Sequence, residues 1–312
     1  MGSHQHRYRY ALLSVGAALF TLALTFLAYV LTGSISLLSA AAELLVNLVA
    51  ACVALWALWL AAQPADEGHA YGHTKAEYFS SAVEGALIIV AAIGIVWTAV
   101  PHLTHPHPLQ QVGLGLPIAA VAAAINGGVA VALLRAGRRM NSVALTADGQ
   151  HLLTDVWTTV GVLVSVLLVA LTGWLALDPI IALVVAANII WTGWRLEHES
   201  GLGLLDSAIV ADDLAKVHEI LATYRERGIG FHAIRSRRAG VRRFISMHVL
   251  VPGSWTVQRG HDLCEELELA VRRALPETTV FTHLEPREDP VAFQDTELDR
   301  RSDGVTSASE IR

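Results

Sequence analysis

The chain has 312 residues, 54% of them hydrophobic and 16% charged, with a mean hydropathy of +0.48 and a formal net charge of −6. That is too apolar for a soluble protein of this length and too charged for one lying in a membrane throughout, and the acidic balance gives no support for nucleic-acid binding. Of the 22 Lys and Arg, seven precede Glu197 and 15 lie from Lys216 onward, so the chain reads as a polytopic membrane region followed by a soluble one.

Residues 1–9 read as a short cytoplasmic segment carrying Arg7 and Arg9. Six apolar segments follow, at about 10–31, 36–60, 79–100, 112–134, 143–171 and 178–195, each near or above the ~20 residues that a span requires. The first sits behind its arginines as a signal peptide would. Its apolar run is too long for one, and no small-residue cleavage site precedes the next span, so it is read as retained. With the N-terminus inside, all seven early Lys and Arg fall on the cytoplasmic side, and the connections at 32–35, 101–111 and 172–177 contain none. The positive-inside rule therefore predicts both termini in the cytoplasm of a multi-pass plasma (inner) membrane protein.

In the second segment Glu43 and Asn47 stand four apart, on one face of a helix. The loop after it holds Asp66, His69 and His73, ligand types at compact spacing on a Gly-containing turn, a weak signal alone. Glu84 in the third segment is an unusual intramembrane carboxylate, with helix-to-helix hydrogen bonding as its plainer reading. The Pro101–Pro108 stretch, with His102, His105 and His107, is preferred as a solvated external loop over a metal-release site. At the head of the fifth segment His151 and Asp155 again stand four apart, with Asp148 one turn back. Ionisable groups in hydrocarbon cost several kcal/mol each, roughly, and persist where they face a bundle interior and perform a task. A polar cap at the helix start would account for the fifth-segment groups, and interhelical hydrogen bonds for Glu43 and Asn47 taken singly. The two pairs together favour a tetrahedral N and O site for a borderline divalent cation.

Beyond Arg195 the pattern becomes α-β-β-α-β: a helix over 211–227, strands over 230–237 and 241–251 joined at 238–240, a helix over 255–275 closed by Pro276, and a strand over 280–285. That order suits a small ferredoxin-like sheet with helices on one face. Arg235, Arg237, Arg238, Arg242 and Arg243 make a basic hairpin whose default reading is a solvated face, with acidic lipid headgroups a minor alternative. The polar tail from Asp289 reads as disordered. Cys52 and Cys264 suggest no disulfide framework. The fold class is thus an α-helical polytopic membrane protein of six transmembrane helices with a C-terminal α+β ferredoxin-like cytoplasmic domain. Its expected divisions are 1–9, a transmembrane domain over 10–206, a metal-binding cytoplasmic domain over 207–288 and a tail over 289–312.

Three motifs together resemble the cation diffusion facilitator family, in its bacterial zinc-exporting branch: Gln63-Pro-Ala-Asp66 with His69 and Gly72-His73-Thr-Lys75-Ala-Glu77, then Ala147-Asp148-x-x-His151-x-x-x-Asp155, then Leu204-Leu-Asp206. The resemblance runs from the first span to Pro286 and implies a homodimer that exports divalent metal in exchange for protons. It carries a transport site onto Glu43, Asn47, His151 and Asp155, where Glu43 and Asn47 depart from the usual Asp residues. Asn47 lowers the formal charge of that site to −2. The resemblance also implies a loop site at Asp66, His69 and His73, a charge interlock using Lys75 and Asp206, and a binuclear zinc-type site at His232, His248, His261, His283 and Glu285. Cys264, one turn after His261, is a possible extra ligand there.

The expected function is export of a divalent metal, zinc first, by metal/proton antiport, with zinc or a similar ion bound as cargo and no catalytic cofactor. Cadmium, cobalt, nickel or ferrous iron remain open, since imidazole suits all of them better than manganese. A non-transporting metal-sensing subunit is the rival prompted by Asn47. An intramembrane metalloenzyme carries little weight, since no His-Glu-x-x-His occurs.

Overall fold

The structure, a computed structural model, describes residues 2–33, 35–104, 115–294 and 296. It divides into two compact units, Met1–Leu205 and Asp206–Arg312.

The first unit consists of α1 (Gly2–Thr32), α2 (Ile35–Ala61), α3 (Ala76–Thr104), α4 (Gly115–Met140), α5 (Val143–Thr172) and α6 (Leu177–Leu204). All six are long and apolar enough to cross a membrane. Several outrun the apolar segments, most clearly α4 through Arg138 and Arg139 and α6 through Glu197 to Leu204. Hydropathy marks the stretch suited to hydrocarbon, whereas Arg and Glu are good helix formers and carry the helix on beyond it. Large apolar side chains such as Leu31, Trp97 and Leu171 point outward, as a lipid-facing surface requires.

Small residues let these helices approach closely. A Cβ on Gly193 of α6 would sit 3.1 Å from the carbonyl oxygen of Gly85 on α3, and one on Gly203 would run into the Tyr78 ring. Between α4 and α5, a Cβ on Gly149 would meet Leu134 at 2.9 Å. The helix that matters most for chemistry, α5, is capped at both ends. Ser142 accepts from the Leu145 backbone N–H, and Gly173, at φ 71°, closes the C-terminus by donating to the Val169 carbonyl.

The second unit is α7 (Ala211–Glu226), β1 (Gly230–Ala239), β2 (Arg242–Val251), α8 (Val257–Ala274) and β3 (Thr278–Pro286). The sheet order is β1-β2-β3, antiparallel between β1 and β2 and parallel between β2 and β3. Val217 and Leu221 of α7, Leu267 and Val271 of α8, and Ile245, Met247 and Val249 of β2 build its core. The α-β-β-α-β order is as expected, with a crossover helix joining the parallel pair. Two expectations are corrected. Residues Pro290–Phe293, assigned to a disordered tail, form a 3-10 helix with Ala292 buried; residue 295 and residues 297–312 lie outside the described residues. The arginine hairpin is not simply a solvated face. Arg237 pairs with Asp206 at 2.9 Å, Arg243 with Asp213 at 2.8 Å, and Arg238 donates to Ser207 Oγ at 2.9 Å.

Candidate metal centres

A cavity of about 240 Å³ enters the first unit at the end where α2 and α4 begin. Glu43 stands on its wall, and Asn47 and Asp155 lie at its inner end. His151 is buried just beyond, one turn back on α5. Asn47 joins the two α5 groups: its Nδ2 donates to Asp155 Oδ2 at 2.6 Å, and its Oδ1 lies 3.0 Å from His151 Nε2. Paired with an ionised Asp155 the amide takes this orientation, since the reverse would aim its oxygen at a carboxylate oxygen. The contact to Oδ1 is then a hydrogen bond only if Nε2 carries the proton. His151 Nδ1 is left buried without a partner. Glu43 lies within Coulombic reach of both His151 and Asp155. The two pairs read from the sequence therefore come together. Their ligand atoms are not drawn into a closed set: among the described residues, Glu43, His151 and Asp155 do not form a group with all donor atoms within 4.8 Å.

On the other side of His151 lie further buried polar groups. Asp148 and Glu84 are buried within Coulombic reach of one another, and Ser80 donates to Glu84 at 3.3 Å. Nearer the start of α5, Glu77 is wholly buried. It accepts from Ser142 Oγ at 2.6 Å and from the Ala144 backbone N–H at 3.4 Å, and lies 3.6 Å from Arg7 Nη1. One carboxylate thus ties α1 and α3 to the N-terminus of α5, where the helix dipole favours negative charge.

The loop between α2 and α3 gathers its three residues as expected. His69 Nδ1 lies 3.1 Å from Asp66 Oδ1 and His73 Nε2 lies 3.4 Å from Asp66 Oδ2, and all three ligand atoms fit within 4.8 Å. Desolvation raises the Asp66 carboxyl, but the backbone and side-chain hydrogen bonds from His69 outweigh it and hold the group below its ordinary value. Nearby, Lys75 donates to the Leu204 carbonyl oxygen at 3.1 Å.

In the second unit the sheet register does the gathering. His232 stands opposite His248, and His248 opposite His283, so three imidazoles occupy one rung across all three strands. Two residues on, Glu285 points to the same face. Its Oε2 lies 2.8 Å from His232 Nε2 and 3.2 Å from His248 Nδ1, forming the second group within 4.8 Å. His283 stands at the edge, 3.6 Å from Glu285 Oε1 and largely exposed. His261 is exposed on α8 and outside this group. Cys264 does not serve as the extra ligand: it is buried in the hydrophobic core, and desolvation pushes its thiol up. Of the histidines in the Pro101–Pro108 stretch, His102 lies 2.6 Å from the Thr98 carbonyl oxygen, while His105 and His107 lie outside the described residues.

Sequence reasoning missed the Arg7–Glu77–Ser142 cluster, whose members are some 70 residues apart. It also missed Asn126 on α4, which lines the cavity. Asn126 has no polar neighbour at helical spacing, and its one signal is being the lone amide in the apolar stretch that precedes Arg135.

Comparison with known proteins bears on both units. The cation efflux transmembrane domain matches residues 11–205, and the cytoplasmic domain of cation efflux proteins matches residues 209–287. An uncharacterized transporter of Synechocystis is 54% identical over 285 residues, spanning 91% of this chain and 92% of that protein. Cation-efflux pumps named FieF are similar too: that of Yersinia enterocolitica is 31% identical over 256 residues (82% of this chain, 84% of the relative) and that of Escherichia fergusonii 29% over 280 residues (89% and 92%).

Proposed function

This chain belongs to the cation efflux family, the cation diffusion facilitators, and from that premise we propose that it exports a divalent metal ion, zinc first among candidates, in exchange for protons. The observation that carries the reading is the meeting of Asn47, His151 and Asp155 at the inner end of a cavity whose wall holds Glu43. These are the nitrogen and oxygen donors that a borderline ion takes, in a bundle where unpaired charge is costly.

Loading begins with the amide. Asn47 occupies Asp155 and His151 in the absence of an ion, so an arriving cation takes over its place on both. The amide then turns its oxygen to the metal, and His151 ligates through Nε2 as a neutral imidazole with its one proton on Nδ1. Ligation requires unprotonated imidazole and ionised carboxylates, so metal and protons compete for one site, which is the basis of exchange. The cavity opens at one end of the bundle, and Glu77, Arg7 and Ser142 join helices toward the other, an arrangement suited to alternating access. On the charge rule the open end faces outward.

The chain acts as a homodimer in the plasma membrane, with the histidine rung and Glu285 of the second unit binding metal on the cytoplasmic side. Ion binding there draws the two protomers together and biases the cycle, coupling export to cytosolic metal. The loop residues Asp66, His69 and His73 form a further cation site beside the membrane.

In proteoliposomes with an imposed pH gradient, Asp155→Ala is expected to abolish metal flux, because it removes a charged ligand and leaves Asn47 without its acceptor. Undiminished flux would overturn the site.

A further inference from the structure

Asn126 belongs to none of the ligand sets above. It is 4% exposed, its Oδ1 is buried without a hydrogen-bond partner, and the residue lines the cavity. Two observations fix its level. Helices α2 and α4 run inward from the mouth and α5 runs back toward it; the innermost lining residues on these three helices are Asn47, Asn126 and Asp155. One position further along, Gly127 faces Val156, with only 3.6 Å between a Cβ on the glycine and Val156 Cγ2. Asn126 therefore stands in the same layer as Asn47 and Asp155, on a third side.

An unsatisfied amide is unfavourable in an apolar helix bundle, and a partner that arrives only with the cargo accounts for it. We infer that Asn126 supplies an amide oxygen to the transported cation, making α4 the third wall of the transport site. The inference rests on the export reading above. The torsion about χ2 of Asn is broad, so a half-turn exchanges the two ends of the amide at little cost. With Asn126 the donors become two carboxylates, two amide oxygens and one imidazole. Four-coordinate zinc needs fewer, and an oxygen-rich set of five suits an ion tolerant of higher coordination, such as cobalt(II) or iron(II). The cargo class is then a first-row divalent ion of five- or six-fold coordination carried alongside zinc.

The test is zinc(II) and cobalt(II) flux in proteoliposomes holding the full chain, comparing wild type with Asn126→Leu, Asn126→Asp and Asp155→Ala. Asn126→Leu is expected to raise KM for cobalt about tenfold, with KM for zinc changed by about threefold or less and kcat for zinc retained. Asn126→Asp, which keeps an oxygen in place, is expected to retain cobalt transport and shift the KM ratio toward cobalt. The inference is overturned if Asn126→Leu leaves the ratio of the two KM values unchanged, or if both substitutions depress both metals equally, as a purely structural amide would. Retained flux in Asp155→Ala instead overturns the export site itself.

Discussion

Asn47 holds two partners at once, Asp155 and His151. Replacing it with aspartate removes the N–H that Asp155 accepts and sets two carboxylates side by side, 2.6 Å being the present spacing of the pair. Asn47→Asp is therefore expected to be less heat-stable than the wild type when stripped of metal and more stabilised by added zinc. Thermal unfolding with and without the ion would check this, and an unchanged metal-induced shift would count against the site. At this scale the sequence was informative wherever two polar groups repeated at helical spacing inside an apolar run, as in Glu43 with Asn47 and His151 with Asp155. Asn126 lacked any such partner, and Cys264 had a ligand's spacing from His261 but the core's periodicity with Leu267 and Val271. Spacing alone does not tell which side of a helix faces the core.

Elements carry a different kind of information, because their contacts join distant parts of the chain. Glu77 caps α5 from α3 while facing Arg7 of α1. Glu77→Ala would strand a buried arginine and free the start of α5, at a cost of about 3–5 kcal/mol in stability. A variant with wild-type unfolding would show that the cluster is not holding these helices. Similarly, Gly203→Val would drive α6 away from Tyr78, an overpacking worth about 1–3 kcal/mol or more, and purified yield and melting temperature would record it. In the second unit α7 and α8 are linked by Arg227 and Glu266, 2.8 Å apart, with the Tyr224 hydroxyl donating to the same carboxylate. The hydrogen bond from Arg227 leads in holding Glu266 below its ordinary value. Its stabilisation is present above the unfolded carboxylate range, about pH 4.3, and is lost as pH falls through the lowered value. Glu266→Gln should therefore lower the melting temperature slightly at pH 7 and not at pH 2, the pair being exposed. Helix number and strand order were legible because hydrophobic period and length carry them. The Glu77 cluster was not, because no local pattern records which loop end meets which helix start.

The whole molecule is two units with separate cores, and each answers to its own conditions. Residues 206–288 expressed alone are expected to fold and to bind zinc through His232, His248 and Glu285. Acidification releases that ion, since each imidazole must be unprotonated to ligate. Calorimetric titration of the fragment, with His248→Ala as the comparison, would check this; equal zinc binding by the two would refute the assignment. The histidine rung has a consequence in time as well as in space. Its third member and its carboxylate both lie on β3, the last strand among the described residues, paired with β2 across the helix between them. Until translation has delivered residues 278–286 and that strand has docked, no part of the nascent chain can gather this ligand set. A protein clipped ahead of Thr278 would keep its six long apolar helices and lack both the third imidazole of the rung and its carboxylate.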